Sequence, residues 1–199
     1  WRGVPTPNKG DWAFLTHMLE TSKPKSGRIV AVVPHGVLFR SSTEGKIRKH
    51  IIEENLLDTV IGLPENMFQS TGIPVAILIF DRRREKGGER ENCKNLFFID
   101  ASKDFLSHKN QNTLTPEHLS RIVDVYQKRD NVDRYAQIIS INEIIENNFN
   151  LNIPRYVETK EKQEPVDVNV TWKKIQKLED EGNQLMNILQ EQLEVWMNK

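Results

Sequence analysis

Between Asn66 and Ile73 the chain reads NMFQSTGI, a lone aromatic, Phe68, set among small and polar residues just ahead of the apolar run PVAILIF. An aromatic ring in such a loop either turns inward to cap a core or stays outward, where its face can stack on a planar partner such as a nucleobase. Other chemistry-bearing residues show less pattern. The five histidines (His17, His35, His50, His108, His118) lack the paired spacing of a metal site, so no metal is expected. The single cysteine, Cys93, cannot form an internal disulfide, which suits a reducing cytoplasm. Two cationic runs could reach phosphates: GKIRKH with Lys46, Arg48 and Lys49, and DRRREK with Arg82 and Arg83. The blander readings are a solvated helix face for the first and a charged strand end guarding a sheet edge for the second.

Elements that would position these residues follow from periodicity. DWAFLTHMLETSK spaces Trp12, Leu15, Met18 and Leu19 as a helix, with Asp11 as its expected N-cap. RIVAVVP (28–34) is the continuous β-branched run of a strand covered on both faces. A helix over 43–55 buries Ile47, Ile51 and Ile52, and strands are expected over 56–64, 74–82 and 95–101. The first two strands, joined by a helix, should run parallel with a right-handed crossover. The next pair, joined by a loop alone, favours an antiparallel partner. A mostly parallel sheet with an antiparallel edge results, and its leading strands are expected to precede Trp1. Pro34, His35 and Gly36 end the first strand; ligands of open α/β sheets bind beyond such carboxyl ends, so this turn should border a pocket.

After Ala101 the chain turns polar. Thr115 should cap a helix that has Pro116 at its first position and Glu117 in its first turn. AQIISINEIIENNF reads as a short strand running into a helix capped by Ser140, and NLNIPRYV as an interface or hinge. Residues 1–157 form the expected main domain, 158–170 a charged linker, and 171–199 a helical, coiled-coil-like arm. Ile175, Leu178, Gly182, Leu185, Leu189, Gln192 and Trp196 alternate by three and four, a heptad seam that packs on its own domain or on another helix. Lys plus Arg and Asp plus Glu both total 28, which gives no support to a generic polyanion binder. The first 157 residues nevertheless carry 22 basic against 19 acidic groups, so any nucleic-acid surface belongs there. The longest apolar run, IPVAILIF, is far short of the roughly 20 residues of a membrane helix.

The ordered series DWAFLTHML, GRIVAVVPHGVLFR, EGKIRKHIIEENLLDTVIGLPENMFQSTGIPVAILIFDR and NLNIPRYV resembles the modification (methyltransferase) subunit of type I restriction-modification systems, and more widely the adenine amino-methylating DNA methyltransferases. The resemblance implies the carboxyl-terminal part of a doubly wound, Rossmann-like α/β sheet, followed by a helical tail. It implies methyl transfer from S-adenosylmethionine to a flipped adenine in DNA. The expected partners are a specificity subunit, a second modification subunit and a restriction/translocase subunit, with no membrane. Two family elements, the glycine-rich cofactor turn and the Asn/Asp-Pro-Pro-aromatic motif, do not occur between Trp1 and Lys199. The fragment alone is therefore expected to be inactive.

By the same resemblance Phe68, with Gln69 beside it, matches the aromatic that stacks on the extruded base, and Phe14 matches a position lining the cofactor's adenine ring. Extruding a base costs a few kcal/mol, and one stacked aromatic returns roughly 1–3 kcal/mol. Methyl transfer from a sulfonium needs no strong base, so His35 is expected to serve as a pocket wall beside Pro34 and Gly36. Two competing readings remain: a non-catalytic interaction module whose tail is its working end, and a solitary methyltransferase that reads its own target.

Overall fold

A computed structural model describes residues 2–69, 71–158 and 168–197. The chain divides into two compact units, Trp1–Thr159 and Lys160–Lys199. In the first, β1 (Arg28–Pro34), β2 (Leu57–Gly62), β3 (Val75–Asp81), β4 (Asn95–Asp100) and β7 (Ala136–Ser140) form one sheet in the order β1-β3-β2-β4-β7. Leu106–Ser107 (β5) and Asn112–Thr113 (β6) pair as a separate small hairpin.

β1 and β2 point the same way, as the helical crossover between them requires, but they are not neighbours. β3 runs antiparallel between them, placing Ile79 opposite Val30 on one side and Leu78 opposite Val60 on the other. β4 joins β2 in parallel, with Thr59 opposite Phe97. β7 closes that side antiparallel. With β2–β4 the one parallel pairing among the described strands, the sheet is mixed rather than mostly parallel. The antiparallel strand expected at an edge from the 63–74 connection is thus interior, and both edge strands (β1 and β7) pair antiparallel with their neighbours. The residues explain it: all six of β2 are buried, as are all but Ile77 of β3. An apolar run of that kind is stable only when covered on both faces.

One face is packed by α1 (Asp11–Thr21), α3 (Ser42–Glu53), α5 (Ile141–Glu146) and the segment 151–157. Trp12, Leu15, Ile47, Ile51, Ile144 and Ile153 meet Val60, Leu78, Phe80 and Phe98 there. NLNIPRYV is therefore core rather than hinge: Leu151, Ile153, Tyr156 and Val157 are buried, and the Tyr156 ring lies 4.4 Å from that of Phe98. α4 (Pro116–Lys128) covers the other face through Ile122, over Ile61, Ile79, Phe97 and Ile99. Thr115 and His118 cap α4 reciprocally, and Ser140 caps α5. α1 differs from expectation, because Gly10 takes the N-cap position and Asp11 lies in the first turn, bonded to Arg40 at 3.1 Å. On the α4 side the sheet's cover stops short of β1, where Val30 and Val32 are 63% and 55% exposed. RIVAVVP is covered on one face only.

The end of the sheet where β3 finishes is held by buried charge. Asp58 accepts from Arg84 (2.7 Å) and Arg129 (2.8 Å), and Asp81 accepts from Arg83 (2.7 Å) and Arg90 (2.7 Å). Arg84, fully buried, also donates to Asn55 (3.0 Å) and to the Asn95 carbonyl (2.5 Å). Burial alone would raise the Asp81 carboxyl, but the hydrogen bonds of Arg83 and Arg90 overcome it and hold the group at about 2.

The second unit contains α6 (Val168–Met197). Its apolar residues Trp172, Ile175, Leu178, Leu185 and Leu189 are between 42% and 68% exposed. Most of the expected 158–170 linker, and the side chain of Trp196 in the expected seam, lie outside the described residues.

Removing one partner of a buried pair strands the other, so Asp58→Asn should cost about 3–5 kcal/mol in urea unfolding. Lys46→Ala, on the exposed face of α3, should change stability by less than about 0.5 kcal/mol. The folded value of Asp81 lies below its unfolded one, so its stabilisation is complete above about pH 4 and is lost as pH falls towards about 2.

Candidate functional site

The 63–74 loop continues the β2–β3 ladder outward as a narrowing hairpin. The Leu63 amide donates to the Val75 carbonyl (2.9 Å), the Asn66 amide to Gly72 (3.3 Å) and the Thr71 amide to Phe68 (3.3 Å). Asn66 adopts a left-handed φ of 54°, which asparagine tolerates better than most residues. Gly72 faces it across the loop, and a Cβ there would sit 2.6 Å from the Asn66 side-chain oxygen. The ladder therefore ends with Phe68 and Gln69 at the tip. Phe68 is 46% exposed and Gln69 is exposed, so the ring does not cap the core.

The turn after β1 grips the returning leg of this loop. The His35 amide donates to the Pro74 carbonyl (3.4 Å), and Nε2 of the ring lies 3.1 Å from the Val75 carbonyl. A carbonyl can only accept, so Nε2 carries the proton. Burial lowers the imidazole below the ordinary histidine value, with the Val75 hydrogen bond and the charge of Asp100 acting the other way. Pro34, His35 and Gly36 are half-buried, and Gly36 opens the short helix α2 (Gly36–Phe39). A Cβ on Gly36 would lie 2.6 Å from the guanidinium of Arg40, which reaches Asp11 at the start of α1 (3.1 Å) and Glu44 on α3 (3.5 Å). Phe14 stands on α1, 71% exposed. The structure thus joins the Pro34–Gly36 turn to the Phe68 loop directly, and ties the helix bearing Phe14 to that turn through Arg40.

The cationic candidates separate. Lys46 and Lys49 are exposed on α3, Lys49 lying 3.7 Å from Glu53 and 5.5 Å above the Phe149 ring. Arg48 is 2% exposed and points inward, donating to the carbonyls of Phe149 (2.6 Å), Arg40 (2.9 Å) and Val37 (3.2 Å). It cannot reach a phosphate; it satisfies backbone groups under α2. Arg82 is likewise committed to the carbonyls of Ser22 (2.7 Å) and Leu19 (2.9 Å) and to Glu85 (3.0 Å). Arg83 is held by Asp81 and Glu89. Arg82 and Arg83 are thus internal ties between α1, β3 and the buried carboxylates, while Lys86 of the same run is exposed. Among the described residues no cluster of three metal-capable side chains occurs, and no helix is long and apolar enough to cross a membrane.

Sequence reasoning missed the β5–β6 hairpin, which touches the outgoing leg of the Phe68 loop. Gln111 Nε2 donates to the Met67 carbonyl (2.5 Å), the Asn112 amide to Asn66 (2.8 Å) and Asn112 Nδ2 to Glu65 (2.9 Å). Two-residue strands carry no readable alternation, so pattern alone could not have found it.

Comparison with known proteins identifies the family and the fold. The N-6 DNA Methylase family matches residues 1–165. The type I restriction enzyme MpnII methylase subunit of Mycoplasma pneumoniae is 31% identical over 92% of this chain, which covers 33% of that protein. The MjaVII methylase subunit of Methanocaldococcus jannaschii is 30% identical over 93%, covering 31% of its length. The chain thus spans about a third of the length of these relatives. Among solved structures, the type I restriction-modification methyltransferase subunit from Streptococcus thermophilus superposes with a TM-score of 0.72 at 44% identity, over 79% of this chain and 32% of that one. The EcoKI M protein, at 20% identity and a TM-score of 0.62 over 81% of this chain and 40% of that one, shares the fold.

His35→Ala should remove the ring contact to Val75, cost about 1 kcal/mol in urea unfolding and speed proteolysis within 63–74. In an NMR titration the His35 ring should change charge below the ordinary value of about 6.5. Because its folded value is the lower one, the neutral ring's contribution is full above about pH 6.5 and declines as pH falls.

Proposed function

Because this chain belongs to the N-6 DNA methylase family, we propose that it forms the target-base side of a type I modification subunit, which methylates the amino nitrogen of adenine in DNA. The carrying observation is Phe68, exposed at the tip of a loop whose stem is hydrogen-bonded on both legs. Only an extruded base can be methylated by an enclosed site, at a cost of a few kcal/mol. A fixed aromatic face offsets much of that cost without being ordered at the moment of capture. Gln69, exposed next to the ring, is the residue proposed to meet the base edge.

S-adenosylmethionine supplies the methyl group as an electrophilic carbon. The residues of this chain fit one wall of its site: Phe14 presents an open ring face, and α1 is tied by the Asp11–Arg40 pair to the turn after β1. His35, neutral and donating to Val75, acts as a wall of the pocket rather than as a base. Of Lys46, Arg48, Lys49, Arg82 and Arg83, the exposed cations that remain available to a DNA backbone are Lys46 and Lys49. The bare apolar edge at Val30 and Val32 offers a seat for further elements of the complete protein.

The partners follow from α6. Its long apolar stripe is the surface proposed to meet a specificity subunit, through which the protein would join a second modification subunit and a restriction/translocase subunit. A subunit that leaves target reading to a partner needs little basic surface, which accords with the zero net charge.

In the complete protein, Phe68→Ala should lower methylation of a paired target by roughly ten- to a hundredfold, the equivalent of a lost base stack. A target adenine left unpaired in the substrate should suffer far less, and Phe68→Tyr should retain most activity. Equal losses on both substrates in steady-state assays would assign Phe68 to packing.

A further inference from the structure

The β5–β6 hairpin lies outside the five-stranded sheet yet is anchored at both ends. At its root, Asp104 is 6% exposed; its carboxylate accepts from the Tyr135 hydroxyl (2.5 Å) and pairs with Arg121 of α4 (3.1 Å). The Arg121 guanidinium also lies 3.9 Å from the centre of the Tyr135 ring. The root is thereby fixed to α4 and to the residue preceding β7. At the other end, Gln111 and Asn112 donate to the carbonyls of Met67, Asn66 and Glu65. Those acceptors are three consecutive peptide groups, and they immediately precede Phe68.

Peptide planes whose oxygens are pinned one after another cannot rotate about their flanking dihedrals, so the direction in which the chain enters Phe68 is set. Asn112 is 7% exposed and spends both its amide and its side chain on this leg. The returning leg is gripped separately, by His35. We propose that the β5–β6 hairpin is a brace for base capture, with Gln111 and Asn112 as positioning residues that keep the Phe68 loop ordered before DNA arrives. A loop ordered in advance does not lose its conformational entropy at the moment of stacking. The inference rests on the proposed stacking role of Phe68, and it assigns Gln111 and Asn112 no contact with DNA.

The test uses the complete modification protein with its partner subunits and a DNA duplex bearing the target site. Gln111→Ala, Gln111→Glu (similar in size, without the donor) and Asn112→Ala are compared by hydrogen–deuterium exchange across 65–73. They are also compared by kcat/KM on paired and unpaired target adenine. The brace predicts faster exchange in the loop and a loss of about fivefold or more on the paired target, with the unpaired target within about twofold. Unchanged exchange, or equal losses on both substrates, overturns it. Gln111 is half-buried and makes one of the three bonds, so its variants decide the matter even if Asn112→Ala does not fold. Phe68→Ala, run in parallel, separates the two ideas. If it alone discriminates between the substrates, the brace is refuted and stacking stands. If it does not discriminate, both fall.

Discussion

An antiparallel strand threaded between two parallel ones leaves the chain little freedom at the place where the candidate site forms. β3 must begin at the end of the sheet where β1 and β2 finish, so the 63–74 connection is forced to rise beyond those ends rather than cross the sheet. The pairing of Pro34 with Val75 and of Gly62 with Ala76 brings the turn after β1 and both roots of the loop together. His35 then needs only its own amide and one ring nitrogen to tie the turn to the loop. Packing of a fully buried strand, worth roughly 1.5–3 kcal/mol for each large apolar side chain, therefore underwrites the position of an exposed one. Phe68 is held outside because Val75, Leu78 and Phe80 are held inside.

The two ends of the sheet are built for different purposes. Where β3 finishes, Asp58 and Asp81 are surrounded by Arg83, Arg84, Arg90 and Arg129. Where β3 begins, the ties are neutral hydrogen bonds to backbone carbonyls, which leave side chains such as Phe68 and Gln69 uncommitted. This partition also accounts for the charge composition. Arg48, Arg82 and Arg83 serve backbone carbonyls or buried carboxylates, so the 28 basic residues overstate the positive surface open to a polyanion.

Much of this was legible from residue types alone. The β-branched and apolar runs located β1 to β4, the change from helical to loop connection foretold the reversal at β3, and Thr115 and Ser140 announced their helices. Phe68 stood out because an aromatic among Asn, Gln, Ser, Thr and Gly is locally unsupported. The failures share a cause, namely contacts between residues distant in sequence. Arg48 sits one position from Ile47 on a helix read as having a cationic face, but three carbonyls converge on it from two distant segments, Val37 and Arg40 at α2 and Phe149 after α5. RIVAVVP looks like a doubly covered strand, yet α4 stops short of Val30 and Val32. NLNIPRYV looks irregular, and its value lies in filling the space beside Gly62, where Ile153 packs so closely that a Cβ on the glycine would lie 2.7 Å from it. The partners of Gln111 and Asn112 are backbone groups of another loop, invisible to any pattern in the chain.

The central claim is that the ring of Phe68 lies against the target base in the working complex. Photo-crosslinking of the complete methyltransferase assembly to DNA carrying a photoreactive base at the target adenine, followed by peptide mapping, addresses it directly. The major adduct should map to the 66–73 segment and fall away in Phe68→Ala, while binding of the duplex persists. An adduct that maps elsewhere in the protein, with 66–73 unmodified, would contradict it.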